Sequence, residues 1–171
     1  MRPIQIVRQQ KTLQSSAAKR DSAPSSSSIK TQKHAKWMTA AFSADYTLFM
    51  KEKVAILGAS KNPERYSYLA LKMLQEYGHT VFPVNPGLNE IEGVPVTASL
   101  SDLQGIDTVT LYMNPKNLEP HVDKIIKLKP RRVIFNPGTE SREIETALQN
   151  AGIETLEACT LVMLRTNQFE K

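Results

Sequence analysis

A single cysteine, Cys159, in 171 residues leaves nothing for it to pair with inside the chain. That excludes an internal disulfide framework and makes a reducing compartment the default. Long apolar runs are missing too: none approaches the roughly 18 residues that a membrane-spanning helix needs, so the sequence predicts a soluble cytoplasmic protein with no membrane partner. Histidine is scarce. His34, His79 and His121 have no Cys or His neighbour at metal-ligand spacing, which argues against a metal centre. His79 reads as a turn residue and His121 as a helix-face residue. Positive charge is lacking where a nucleic-acid partner would need it. The net charge is +5, yet residues 1–44 carry eight Lys or Arg against one acid, and the remainder has fourteen bases against sixteen acids. A near-neutral folded part gives no electrostatic footprint for DNA or RNA.

The basic, Ser- and Gln-rich stretch 1–44 has no sustained apolar period and is expected to be a disordered tail. Its Ser-rich, acid-poor composition also fits an organelle transit extension, which would put the protein in an organelle matrix. A start at Met38 is a further alternative. The folded domain is expected over 45–171, with a short lead-in helix over 40–50 packing Phe42, Tyr46 and Phe49 on one side.

The organising stretch is Lys53-Val-Ala-Ile-Leu-Gly-Ala-Ser-Lys-Asn-Pro63. Val54 to Leu57 is too apolar for a strand with a wet face, and it runs into a glycine turn before a helical pattern begins. In a nucleotide-binding sheet, Gly58 at that turn would let the backbone pass close to a ligand, and free helix N–H groups would face a phosphate. Asn62-Pro63 is the helix-start signal, with Tyr66, Leu69, Ala70, Met73, Leu74 and Tyr77 as its core face and Gly78 as its stop.

Further strands are expected at Thr80–Val84, at 93–96 on an edge because of Pro95, at 107–113 ending in Met113, at 133–135 and at 153–156. Helices are expected after Ser99, after Asn114-Pro115 and after Thr139 or Ser141, and a last apolar segment runs from Cys159 to Leu164. This alternation predicts an α/β fold: a Rossmann-like, doubly wound parallel sheet in three layers. Three strand ends carry the same dipeptide, Asn85-Pro86, Asn114-Pro115 and Asn136-Pro137, the last followed by Gly138. Gathered at one rim, their amides would suit a ligand with amide groups of its own.

Two features weigh against an NAD(P)-type oxidoreductase. The turn Gly58-Ala-Ser-Lys-Asn-Pro63 lacks the later glycines of G-x-G-x-x-G, and the second strand ends in Val84-Asn85-Pro86 without an acid for the ribose hydroxyls. A P-loop pattern is also missing.

The residues Val-Ala-Ile-Leu-Gly-Ala-Ser at 54–60, Val-Phe-Pro-Val-Asn-Pro at 81–86, the Gly93 strand, Asn114-Pro115, Pro137-Gly138 and Ala-Gly-Ile at 151–153 followed by Cys159 carry a family resemblance. In this order and spacing the chain resembles the small stand-alone CoA-binding domain proteins, related to the CoA-binding domain of the succinyl-CoA synthetase alpha subunit. The likeness runs from Val54 onward. It departs at Asn136-Pro137, where many members have Gln, and the tail before Met38 has no counterpart.

The resemblance implies coenzyme A or acyl-CoA as the ligand. Backbone N–H groups of Ala59, Ser60 and Lys61 would then meet the diphosphate, the Ser60 hydroxyl would add a donor, and Lys61 or Arg65 would supply charge. Tyr66, Asn85, Pro86, Met113, Asn114, Pro115, Asn136, Pro137, Gly138 and Cys159 would flank the adenine and pantetheine arms. For Lys61 and Arg65 the plain alternative is a solvated pair beside Glu64.

No constellation for catalysis is evident in the sequence. The ligase relatives use a phosphorylated histidine from a second domain, which is not expected here. The leading expectation is therefore non-catalytic CoA binding, with a CoA-site subunit of a larger CoA ligase or a dinucleotide enzyme as alternatives. A homodimer or a catalytic partner subunit is the expected company. Cys159 reads either as a small buried apolar residue or as a thiol within reach of the pantetheine sulfur.

Overall fold

The computed structural model describes residues 51–170. The tail over 1–44 and the helix over 40–50 concern residues outside that range. In chain order the elements are β1 (Lys53–Leu57), α1 (Tyr66–Glu76), β2 (Thr80–Val84), β3 (Glu90–Ile91), β4 (Val94–Pro95), a 3-10 turn (Leu100–Asp102) and β5 (Thr108–Leu111). Then come α2 (Pro115–Leu118), a second 3-10 turn (Glu119–His121), α3 (Val122–Leu128), β6 (Arg132–Phe135), α4 (Arg142–Asn150), β7 (Glu154–Glu157) and α5 (Thr160–Arg165).

Five strands form one sheet in the order β2-β1-β5-β6-β7, all parallel. From β1 the chain steps outward to β2, then returns to the far side of β1 and continues through β5, β6 and β7. The direction of winding therefore reverses between β1 and β5, where a doubly wound sheet opens its ligand crevice beyond the carboxyl ends.

Successive residues of a strand point to opposite faces, and β1 shows both. Val54 and Ile56 pack with Leu71 and Leu74 of α1 and Met163 and Leu164 of α5. Ala55 and Leu57 belong to the core formed with Leu118, Ile125 of α3, and Ile144 and Leu148 of α4. All four of these β1 residues are buried, as a strand covered by helices on both faces requires. The expected three-layer α/β fold is the observed one. No helix of the described residues is long and apolar enough to cross a membrane.

Two local expectations are corrected. The first helix begins at Tyr66, not at Asn62-Pro63, because Asn62 folds its own turn: its side-chain oxygen accepts from Glu64 N–H at 2.9 Å and its carbonyl from Arg65 N–H at 3.0 Å. The buried face of α1 is accordingly Ser67, Ala70, Leu71 and Leu74, while Tyr66 and Leu69 are exposed. The strand expected at 93–96 is half of a β3-β4 hairpin outside the main sheet, turned at Glu92 and Gly93 with both φ angles positive. Its Pro95 is compatible with a two-stranded ribbon, which is all edge.

The amino ends of the strands are tied by charge. Arg132 is fully buried on β6, and its guanidinium donates to both Glu52 oxygens at 3.1 and 3.0 Å, to the Thr108 hydroxyl at 2.9 Å and to the Phe169 carbonyl. The same guanidinium lies 4.6 Å from the centre of the Phe169 ring, which in turn meets the His79 ring edge-on.

His79 Nδ1 accepts from Glu52 N–H at 3.2 Å, so the neutral ring carries its proton on Nε2, 3.6 Å from the Glu170 carboxylate. Burial pushes the His79 pKa below its ordinary value, opposed by Glu170 and Glu52 and assisted by Lys51 and Arg132. The folded ring thus takes up its proton at lower pH than the unfolded one. Its contribution to stability is complete above about pH 6.5 and is lost as the pH falls below that. Urea unfolding should show a midpoint that drops between pH 7 and pH 5, a drop that His79→Gln reduces. A ring that NMR finds titrating above the ordinary histidine range would contradict this account.

Candidate functional site

The carboxyl rim of the sheet is assembled from its turns. Leu57 closes β1 by accepting from Tyr112 N–H at 2.9 Å, and Gly58 follows with φ +88°. A Cβ on Gly58 would stand 2.9 Å from the Tyr112 carbonyl oxygen. The glycine is therefore required by the end of the neighbouring strand, a reason independent of the ligand approach that the sequence suggested. Gly58 and Ala59 N–H both donate to the Val84 carbonyl, at 3.2 and 3.3 Å. Of the three amides expected at a diphosphate, that of buried Ala59 is thus committed to the fold. Those of Ser60 and Lys61 donate to no described residue. The Ser60 hydroxyl accepts from Asn62 N–H at 3.1 Å and keeps its own proton for another partner.

Two of the three rim asparagines, Asn85 and Asn136, spend their amides on the fold instead of offering them outward, whereas exposed Asn114 commits only its side-chain oxygen. Asn85 donates to the Ala59 carbonyl at 2.7 Å and accepts from Gly87 N–H at 2.8 Å, bracing the Gly58 turn against the end of β2. Asn114 caps α2, accepting from Asn117 N–H at 2.9 Å. Asn136, almost fully buried, donates to the Thr110 hydroxyl at 2.7 Å and the Leu111 carbonyl at 3.0 Å, and accepts from Thr160 N–H at 2.8 Å. One amide so joins β5, the end of β6 and the start of α5. The reason is local: a strand end leaves backbone groups without ladder partners, and a short amide side chain is the nearest group able to both donate and accept.

These turns frame two adjoining hollows. The first, a cleft of about 210 Å³, lies between the start of α1 and the ends of β5 and β6, with Arg65, Ser67, Met113, Asn114, Gly138 and Thr139 among its walls. The second, a chamber of about 240 Å³, is lined by Tyr66, Tyr112, Asn136, Pro137, Cys159 and Leu161. Tyr66, Tyr112 and Pro137 border both. Of the residues expected at the site, Arg65, Tyr66, Met113, Asn114, Asn136, Pro137, Gly138 and Cys159 are thus brought together. Gly58, Ala59, Ser60 and Lys61 form the turn that leads to the cleft, and Asn85, Pro86 and Pro115 line neither hollow.

Four lining residues escaped the sequence reading: Ser67, Tyr112, Thr139 and Leu161. Tyr112 stands between Leu111 and Met113 in an apolar strand pattern and carries no motif of its own. Its hydroxyl is sealed from solvent beside Thr110 and Thr160, which bond to one another at 2.7 Å, and burial pushes its pKa up to about 12. The phenol therefore stays neutral and presents ring, not charge, to the hollow.

Electrostatics divide the two hollows. Lys61 and Arg65 make no ion pair among the described residues, so no bond to Glu64 offsets either charge. The Tyr66 and Ser67 amides at the start of α1 have no described hydrogen-bond partner, and α1 is long enough for its amino end to carry a useful positive dipole. The chamber has no ionised side chain in its wall, which is mostly apolar.

Comparison with known proteins places the domain in a family. Residues 52–165 match the family described as CoA binding domain. The Bacillus subtilis protein YneT is 34% identical over 68 residues, which are 39% of this chain and 50% of that protein. The alpha subunit of a Pyrococcus furiosus ADP-forming acetate–CoA ligase is 34% identical over 73 residues, 42% of this chain and 16% of that one. The matched stretch is thus half or less of either curated relative. Among solved structures, one of 44% identity covers 70% of this chain and 98% of its own, with a TM-score of 0.67. A Thermus thermophilus protein of 30% identity covers 75% and 98%, with a TM-score of 0.65.

The framework predicts a ranking of substitutions. Asn136→Ala strands a buried amide and a buried carbonyl and should cost about 3 kcal/mol, against about 1 kcal/mol for the exposed cap Asn114→Ala. Gly58→Ala should cost about 2 kcal/mol or more, since the added methyl meets backbone at a positive φ. Urea unfolding of the three variants checks the order, and an Asn136→Ala loss no larger than that of Asn114→Ala would refute it.

Proposed function

We propose, since the chain belongs to the CoA-binding domain family over residues 52–165, that it holds coenzyme A or an acyl-CoA along the carboxyl rim without turning it over. The observation that carries this reading is the pairing of a cationic approach with an apolar end in two adjoining hollows that share Tyr66, Tyr112 and Pro137 as walls. Lys61, Arg65 and the free amides at the start of α1 suit the diphosphate. The cleft between Met113, Asn114 and Gly138 suits the pantetheine arm, and the chamber at Cys159 suits the sulfur end. Coenzyme A supplies a thiol, or a thioester once acylated. The residues present bind and orient it.

A second reading, that the domain supplies a CoA site to a catalytic partner subunit, is favoured by one finding. Two of the relatives are ADP-forming acetate–CoA ligases, from Pyrococcus furiosus and Methanocaldococcus jannaschii, and the matched stretch is 16% and 10% of their lengths. Purification of a tagged chain from its native cells together with a larger ligase-like subunit would favour it over the first.

Titration calorimetry tests the ligand. Heat is expected from coenzyme A and none from NAD, and the Lys61→Ala, Arg65→Ala double variant should bind CoA about tenfold or more weakly. Unchanged affinity in that variant would remove the diphosphate assignment, and heat from NAD alone would replace the reading with a dinucleotide one. The sulfur end is mapped separately with CoA disulfide as oxidant. The Cys159 thiolate attacks one sulfur, the S–S bond breaks, and CoA thiolate leaves a mixed disulfide on the protein. Mass spectrometry should find Cys159 carrying CoA, and an unmodified thiol under conditions where CoA binds would place the sulfur elsewhere.

A further inference from the structure

The wall of the chamber decides what the sulfur end of the ligand can carry. Besides the Cys159 thiol, three of its six lining residues carry a polar side-chain group, and two of these, on Asn136 and Tyr112, are turned inward. The Asn136 amide is occupied by Thr110, Leu111 and Thr160. The Tyr112 hydroxyl is sealed from solvent beside Thr110 and Thr160, so the ring alone faces the hollow. The rest of the wall is the exposed Tyr66 phenol, the Pro137 ring, the Leu161 side chain and the Cys159 thiol. No lysine, arginine or histidine lines it, whereas Arg65 lines the adjoining cleft.

From this we infer that the site selects acyl-CoA thioesters with short, uncharged acyl groups over free coenzyme A and over thioesters that end in a carboxylate. The inference rests on the CoA reading above and adds the acyl class to it. A molecule with an anionic nucleotide at one end and a thioester at the other can lie in the two hollows in one sense, because the cations and free amides are at one end and the apolar wall at the other. The acyl group then enters a volume of about 240 Å³. There each buried methylene gains affinity by leaving water. A terminal carboxylate would lose hydration there without meeting a cation, and the single phenol hydroxyl of Tyr66 does not replace one.

Calorimetry on the wild-type full chain with four ligands tests this without any variant: coenzyme A, acetyl-CoA, butyryl-CoA and succinyl-CoA. Butyryl-CoA carries two methylenes more than acetyl-CoA and should bind roughly tenfold more tightly. Succinyl-CoA, with as many acyl carbons as butyryl-CoA but a charged end, should bind at least tenfold more weakly than butyryl-CoA. A flat series in which all four bind alike, or succinyl-CoA binding as tightly as butyryl-CoA, overturns the inference and leaves CoA binding intact. Absence of heat from all four removes the CoA reading together with it, so the two failures are distinguishable.

Discussion

A parallel strand that stops leaves backbone donors and acceptors that no neighbour in the ladder can reach, and burying them unpaired costs free energy. In this protein that constraint falls on the carboxyl rim and is met by side-chain amides. Asn136 links β5, the end of β6 and the start of α5 through three hydrogen bonds, and Asn85 holds the Gly58 turn to the end of β2. The rim is rigid because these groups are committed to one another. A hollow can then persist between turns that would otherwise close over it, and what the fold leaves free there is the amides at the start of α1, two cations and a wall of rings.

The two ends of the sheet solve the same problem with different chemistry. At the amino ends, one charge is buried and paired: Arg132 is held by Glu52, Thr108 and the Phe169 carbonyl, while nearer the surface Glu170 lies between Lys51 and His79. Breaking such a pair leaves one buried ion uncompensated, so this end tolerates little change. At the carboxyl ends the chamber wall carries no ion, and the cations of the approach face solvent without internal partners. The positive charge of Lys61 and Arg65 is neutralised by no acid among the described residues. The fold is stabilised at one rim and left receptive at the other.

Much of the architecture was legible in the sequence. The unbroken apolar run Val54–Leu57, the Asn-Pro strand ends and the glycine stops at Gly78 and Gly152 mark elements that lie where local chemistry puts them. The phase of α1 was not legible. Tyr66, Leu69, Ala70, Met73 and Leu74 satisfy a helical period as well as Ser67, Ala70, Leu71 and Leu74 do, and a turn closed by the Asn62 side chain sets the start of the helix and with it the face turned inward. The β3-β4 hairpin was half seen, because Glu90–Ile91 is too short to show a period and its turn places Glu92 at a positive φ without an Asn or Gly to announce it. Tyr112 was missed for a different cause: it follows a buried strand and reads as its continuation, although its ring borders both hollows.

What the sequence determined by itself was therefore the alternation of elements and the family to which the chain belongs, because these depend on residues close together along the chain. Which asparagines serve the fold, which helix face is buried and where the apolar chamber lies were decided by the tertiary structure. Each of these depends on pairing between residues far apart in sequence, such as Asn136 with Thr110 and Thr160, or Gly58 with Tyr112. A side-chain amide has the same composition whether it faces a ligand or a strand end, and only the position of its partners in space fixes which one it serves.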